Sequence, residues 1–229
     1  MMGLANGVHH VALCTRDLKE QIEFFTDVIG MELAALYWMH GVEGAKHAFL
    51  RLNDSCSLAF VHMPEVEEIE GRRKVTHAGN AGDPVAGGAL QHIAFNVEGP
   101  EQLLQMRDRI RDRGVQVHGP VDHGFCQSIY LAGPEGIQLE FSTSENPINP
   151  KAWIDPEVVA LCGIDALELA RYECPSPMPE RGGRVDQPIF DADKPHQIFD
   201  PPMDEWIKRV GDEEFIEAMS QPTPPVRIP

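Results

Sequence analysis

The chain has 229 residues, 42% of them hydrophobic, which is enough for one core-forming domain with an extension. Its net charge of -17 argues against a nucleic-acid or anionic-membrane partner, because like charges repel, and no run approaches the roughly 18 apolar residues of a membrane span. No basic segment followed by an apolar one opens the chain, and its five cysteines (Cys14, Cys56, Cys126, Cys162, Cys174) include no CxxC pair, so reduced thiols in a cytoplasmic setting are expected and a thiolate zinc site is not.

Taken in order, the first element is a strand, VHHVAL (8–13). A helix follows, with Asp17 at its N-cap and Glu20 at capping-box spacing. Leu18, Ile22, Phe25 and Ile29 form its apolar stripe, and Gly30 ends it. Strands are expected over 32–39, 46–53 and 56–62. A charged linker then runs from Pro64 to Gly88. The pattern begins again at LQHIAF (90–95), with a helix carrying Leu103, Met106 and Ile110 and ending at Gly114. Strands at 115–120, 125–131 and 137–143 complete it, the last two joined by a turn at Gly133-Pro134-Glu135-Gly136. The fold class is therefore α+β: two βαβββ modules, 7–63 and 89–143, within a domain spanning 1–143. The extension, 144–229, holds 14 of the 19 prolines. It is expected to be mainly helix and coil, with helices at about 155–172 and 203–219 and an irregular segment, 174–197, between them.

The repeat singles out particular side chains. Aligning its two copies puts His10 opposite His92 and His9 opposite Gln91. Side chains alternate along a strand. Val11 and Leu13, like Ile93 and Phe95, then pack under the helices, while His10, Ala12, His92 and Ala94 take the other face. His9 is expected to bind nothing. In IQLEFST (137–143) the open face carries Glu140, whose isolated charge would be costly among apolar neighbours unless a cation offsets it. The matching position in the first copy is Ala59. His10, His92 and Glu140 thus form a candidate metal set of two imidazoles and one carboxylate, suited to Fe(II), or to Mn(II) or another divalent metal. Tyr37, Trp38 and Phe49 are expected in the core, Cys56 as a small buried residue, and His196 in solvent.

The paired modules with HVAL and HIAF openings resemble the vicinal oxygen chelate superfamily over about residues 7–143, and HGFCQSIYLAGPEGIQLE (123–140) resembles the signature of its type I extradiol dioxygenases. The resemblance implies that His123 and Tyr130 lie beside the metal and contact substrate and oxygen species. It implies cleavage of a small catechol-like aromatic substrate with O2, in a homodimer. Two features depart from this. Ala59 stands where glyoxalase-like members carry a fourth ligand, and Cys56 stands where extradiol enzymes carry a catalytic histidine, for which His47, His62 or His77 are candidate substitutes. The alternatives are a non-redox lyase, isomerase or thiol transferase of the same superfamily, and a non-catalytic small-molecule-binding protein.

Overall fold

The computed structural model describes residues 5–177 and 185–227. The chain divides into two compact units, residues 2–175 and 176–229. In the first unit, β1 (His10–Cys14) leads into α1 (Leu18–Glu23), which continues as a π-helical stretch over Phe24–Ile29. β2 (Glu32–Trp38), β3 (Lys46–Asn53) and β4 (Cys56–His62) follow. The second copy repeats this order with β5 (Ile93–Val97), α2 (Pro100–Asp112), β6 (His118–Asp122), β7 (Gln127–Ala132) and β8 (Gln138–Thr143). Each copy makes one four-stranded sheet, ordered β1-β4-β3-β2 and β5-β8-β7-β6, with a parallel first pair and antiparallel neighbours. The α+β pair of βαβββ modules expected from the repeat is present. β6 starts three residues later than its expected position. Gly114 turns with φ 77, and Val115 N–H bonds Ile110 O at 3.2 Å, so the residues after the helix serve its C-terminal turn rather than the sheet.

Alternation sorts each sheet into two faces. Leu58, Phe60, Ala48 and Leu50 lie under α1, while Ile93, Phe95, Ile129, Leu139 and Phe141 lie under α2. All of them belong to one continuous core, so the modules meet on their helix sides. Two polar ties lock this joint. Arg109 of α2 donates from Nε to Val28 O at 2.9 Å and from a terminal nitrogen to Asp27 O at 3.0 Å, and so caps the end of the first helix. Glu135, in the turn before β8, receives hydrogen bonds from Thr15 Oγ1 (2.5 Å), Arg16 N (2.8 Å) and Gln21 Nε2 (3.0 Å). Asp17 caps α1 by accepting from Lys19 N and Glu20 N.

After β8 come α3 (Pro150–Trp153), α4 (Pro156–Leu161) and α5 (Ala166–Glu173). The single helix expected at 155–172 is two. Gly163 takes φ 70, and Asp165 starts α5 with a capping box to Glu168, which ends one helix and begins the next. In the second unit, α6 (Met203–Ile207) and α7 (Asp212–Met219) replace one helix at 203–219, with Gly211 extended between them. The part of the irregular segment at 185–197 forms no helix or strand, and residues 178–184 lie outside the described residues. No described helix is long and apolar enough to cross a membrane.

Candidate metal centre

The open face of the second sheet gathers most of the expected site. Glu140 is central on β8, paired with Ala94 on one side and Tyr130 on the other. His92 immediately precedes β5, and its Nε2 lies 3.1 Å from Glu140 Oε2. The other carboxylate oxygen accepts from Tyr130 Oη at 3.1 Å and Ser142 Oγ at 2.7 Å. Ser142 in turn meets the buried Ser128 at 2.8 Å. Tyr130 Oη is also 2.7 Å from His123 Nε2. His123, Tyr130, Glu140 and His92 therefore form one connected group. Burial pushes the Glu140 carboxyl up, but the hydroxyls of Ser128, Ser142 and Tyr130, and after them the neighbouring His92, outweigh it and hold the group below the usual carboxylate range. Burial and the Glu140 charge push the Tyr130 phenol up, so it stays a hydrogen-bond donor. The sequence did not single out Ser128 or Ser142, although both share the face parity of Tyr130 and Glu140.

A cavity of about 580 Å3 opens over this group. Phe125, Cys126, Pro147 and Ile148 make its apolar wall. Trp153 of α3 packs edge-on against Phe125, with ring centroids 4.8 Å apart. The first residues of the extension thus line the site.

His10 occupies the corresponding place on the open face of the first sheet. Its ring packs edge-on against Phe49 at 5.4 Å, and its Nδ1 lies 2.9 Å from Nδ1 of His9. His9, expected to bind nothing, is thus the bonding partner of His10. Among the described residues no group of three or more His, Cys, Asp or Glu side chains is close enough to hold a metal ion. Within one chain the candidate set is therefore divided, His92 lying with Glu140 and His10 apart from both. Since the modules join on their helix sides, both open faces turn away from the shared core. A charged carboxylate facing an imidazole nitrogen fits part of the coordination shell of a borderline divalent metal.

The first face holds further groups. Ala59 is fully buried between Ala12 and Phe49, so no fourth ligand comes from that position. His47 shares this face. Its ring packs tilted against Phe49, at 4.5 Å between centroids, and its Nδ1 is 3.5 Å from Tyr37 Oη. Its Nε2 is buried without a hydrogen-bond partner among the described residues. Burial, and then the neighbouring His10, hold its proton affinity below the ordinary imidazole value. Of the three histidines considered as substitutes at the Cys56 position, His47 shares the His10 face. His62 lies on the opposite face, bonded to Glu67 at 3.5 Å, and His77 sits in the linker beside Gly136. Cys56 lies at the β3–β4 turn, opposite Asn53. The aromatic trio is not a core cluster. Tyr37 and Phe49 stack on the open face, and Trp38 is 67% exposed, because β2 is the edge strand. His196 is exposed, its Nδ1 2.7 Å from Lys194 O.

Residues 7–141 match the family model of the Glyoxalase/Bleomycin resistance protein/Dioxygenase superfamily. The lactoylglutathione lyase of Salmonella typhimurium is 30% identical over 135 residues, covering 57% of this chain and 87% of that protein. A 2-epi-5-epi-valiolone epimerase of an Actinomyces species is 29% identical over 155 residues, covering 59% of this chain and 78% of that protein. The crystal structure of a glyoxylase/bleomycin resistance protein/dioxygenase domain from a Frankia species superposes with a TM-score of 0.47 at 18% identity, covering 62% of this chain and 99% of that one. The chain belongs to the glyoxalase/bleomycin resistance protein/dioxygenase superfamily.

Proposed function

We propose that this protein is a divalent-metal-dependent enzyme of the non-redox branch, a lyase or isomerase that moves a proton next to a polarised oxygen of a small substrate. The observation that carries this reading is the His92–Glu140 pair, an imidazole nitrogen 3.1 Å from a carboxylate kept ionised by three hydroxyls. Its named relatives, a lactoylglutathione lyase and an epimerase, support the same branch. The ligands are His10, His92 and Glu140. Because one chain turns its two open faces away from a common core, His10 comes from a second copy, which makes the active form a homodimer. A divalent metal held by these residues would supply Lewis acidity to a substrate oxygen. Tyr130 and His123 stand beside this group, and turning the Tyr130 hydroxyl from Glu140 toward the substrate lets the pair donate to the charge that develops. His47, neutral and with Nε2 unpartnered, takes the proton. The apolar wall of Phe125, Pro147 and Ile148 keeps water from the exposed side.

A second reading, ring cleavage of a catechol-like substrate with O2 at Fe(II), draws support from the His123–Tyr130 hydrogen bond of 2.7 Å and the apolar wall. One experiment separates the two. The protein is loaded in parallel with Mn(II), Ni(II), Zn(II) and Fe(II). Each form is assayed for lactoylglutathione turnover, for deuterium uptake from solvent into hydroxyketones, and for oxygen uptake over a catechol panel. Turnover or exchange without oxygen consumption supports the first reading. Oxygen uptake confined to the Fe(II) form replaces it with the second.

A further inference from the structure

We infer that the residue immediately before each ligand histidine, Gln91 in the second module and His9 in the first, is its positioning residue, engaging Nδ1 so that Nε2 is the edge offered to the metal. The inference rests on the metal-centre reading and adds to it how the two imidazoles are held.

The argument begins at the Gln91 amide. Its nitrogen is 2.9 Å from Ala81 O and 3.1 Å from Asp83 O. Backbone carbonyls only accept hydrogen bonds, so the end of the amide facing them is the NH2 group. That orientation places Oε1 against Nδ1 of His92, with which it is hydrogen-bonded. An amide oxygen also only accepts, so Nδ1 of His92 carries the hydrogen. Nε2 is left as the free edge, and it is Nε2 that faces Glu140 Oε2. The carboxylate offers lone pairs alone. Two facing lone pairs repel, so this edge belongs to a positive species, a proton shared between them or a metal ion bound to one side of both. A metal-bound imidazole with its far N–H donated to an oxygen is both oriented and more basic.

The support continues outward. Asp83 is held by Arg73 Nε at 2.6 Å, by Gly79 N at 3.0 Å and by Lys74 Nζ at 3.6 Å. The linker is thereby fixed where its carbonyls orient Gln91. The first module repeats the relation with other chemistry, His9 Nδ1 lying 2.9 Å from His10 Nδ1. With His9 as acceptor, His10 Nδ1 keeps its hydrogen and Nε2 is again free. His9 and Gln91 both lie outside the strands, which begin at His10 and Ile93, so strand alternation does not send them to the opposite face.

The test uses the full-length protein and zinc, with affinity read by competition with a chelator. Gln91→Leu and His9→Leu are expected to weaken zinc binding by about 10- to 100-fold. Gln91→His and His9→Gln, which exchange the partners of the two modules, are expected to keep wild-type affinity. A role in packing alone is not rescued by a group of such different shape. Nitrogen-resolved spectra of the histidines in metal-free protein give a second readout. The His92 Nδ1 proton is expected to exchange slowly in wild type and fast in Gln91→Leu. Slow exchange in a wild-type protein that binds no zinc supports the anchoring by Gln91 and removes the metal reading. Equal exchange, or equal zinc affinity, in wild type and Gln91→Leu overturns the inference.

Discussion

Glu135 serves the joint between the modules with both its backbone and its side chain. Its φ of 56 lies in the left-handed region, which is unfavourable for a residue with a Cβ. Its carboxylate takes three hydrogen bonds from the start of the first helix, two of them from the buried side chains of Thr15 and Gln21. Glu135→Ala loses the acceptor and keeps the strain, and it should cost about 3 kcal/mol in urea unfolding. Glu135→Gly loses the acceptor but relieves the strain, and it should cost about 1 kcal/mol less than the alanine variant. The candidate base makes a separate case. His47→Gln keeps a polar side chain of similar length but cannot cycle a proton. It should lower kcat by about 100-fold or more, with metal content unchanged. An equal loss of metal would show that His47 is a ligand instead.

The linker between β4 and β5 reads in the sequence as a charged connection, and in the structure it is an ordered element built on Asp83. Burial raises the Asp83 carboxyl, but the Arg73 hydrogen bond, the Gly79 N–H and the charges of Arg73 and Lys74 outweigh it and set the group below its ordinary value of 3.8. The folded state thus binds this proton less readily than the unfolded chain. The stabilisation from Asp83 is complete above the unfolded value and is lost as pH falls through the lower, folded one. Asp83→Asn should therefore be less stable than wild type at neutral pH, with a gap that narrows on acidification below the ordinary carboxylate range. A gap that is constant with pH in thermal melts would count against this. Periodicity made the modules legible, because each strand and helix buries one face and shows it every two or every three to four residues. The linker has no such period, since its order comes from charges ten residues apart. Tyr37 and Phe49 read as core in the sequence for a related reason. Apolar character marks a buried face but does not tell the helix side of a sheet from an open face lined by rings. Gln91 was visible in the repeat alignment only as the partner of His9, and its role depends on Ala81 and Asp83 carbonyls that no side-chain pattern reports.

At the scale of the whole molecule, a centre shared between two copies has a genetic signature. Neither His10→Ala nor His92→Ala is expected to be active alone. In a mixed dimer, one of the two centres collects both substitutions and the other collects neither, so mixing the variants should restore activity. A centre complete within one chain gives no recovery, because every chain in the mixture is defective. The cavity wall leads to a different consequence. Glu140, Tyr130 and His123 belong to the repeat, whereas Pro147 and Ile148 come from the extension that follows it. Ile148→Asn should raise KM about tenfold for substrates with a large apolar part while leaving kcat near wild type. The residues proposed for the chemistry thus lie in the repeat, while half of the apolar wall that would select the substrate comes from the extension, a part that selection can rewrite while the repeat is held constant.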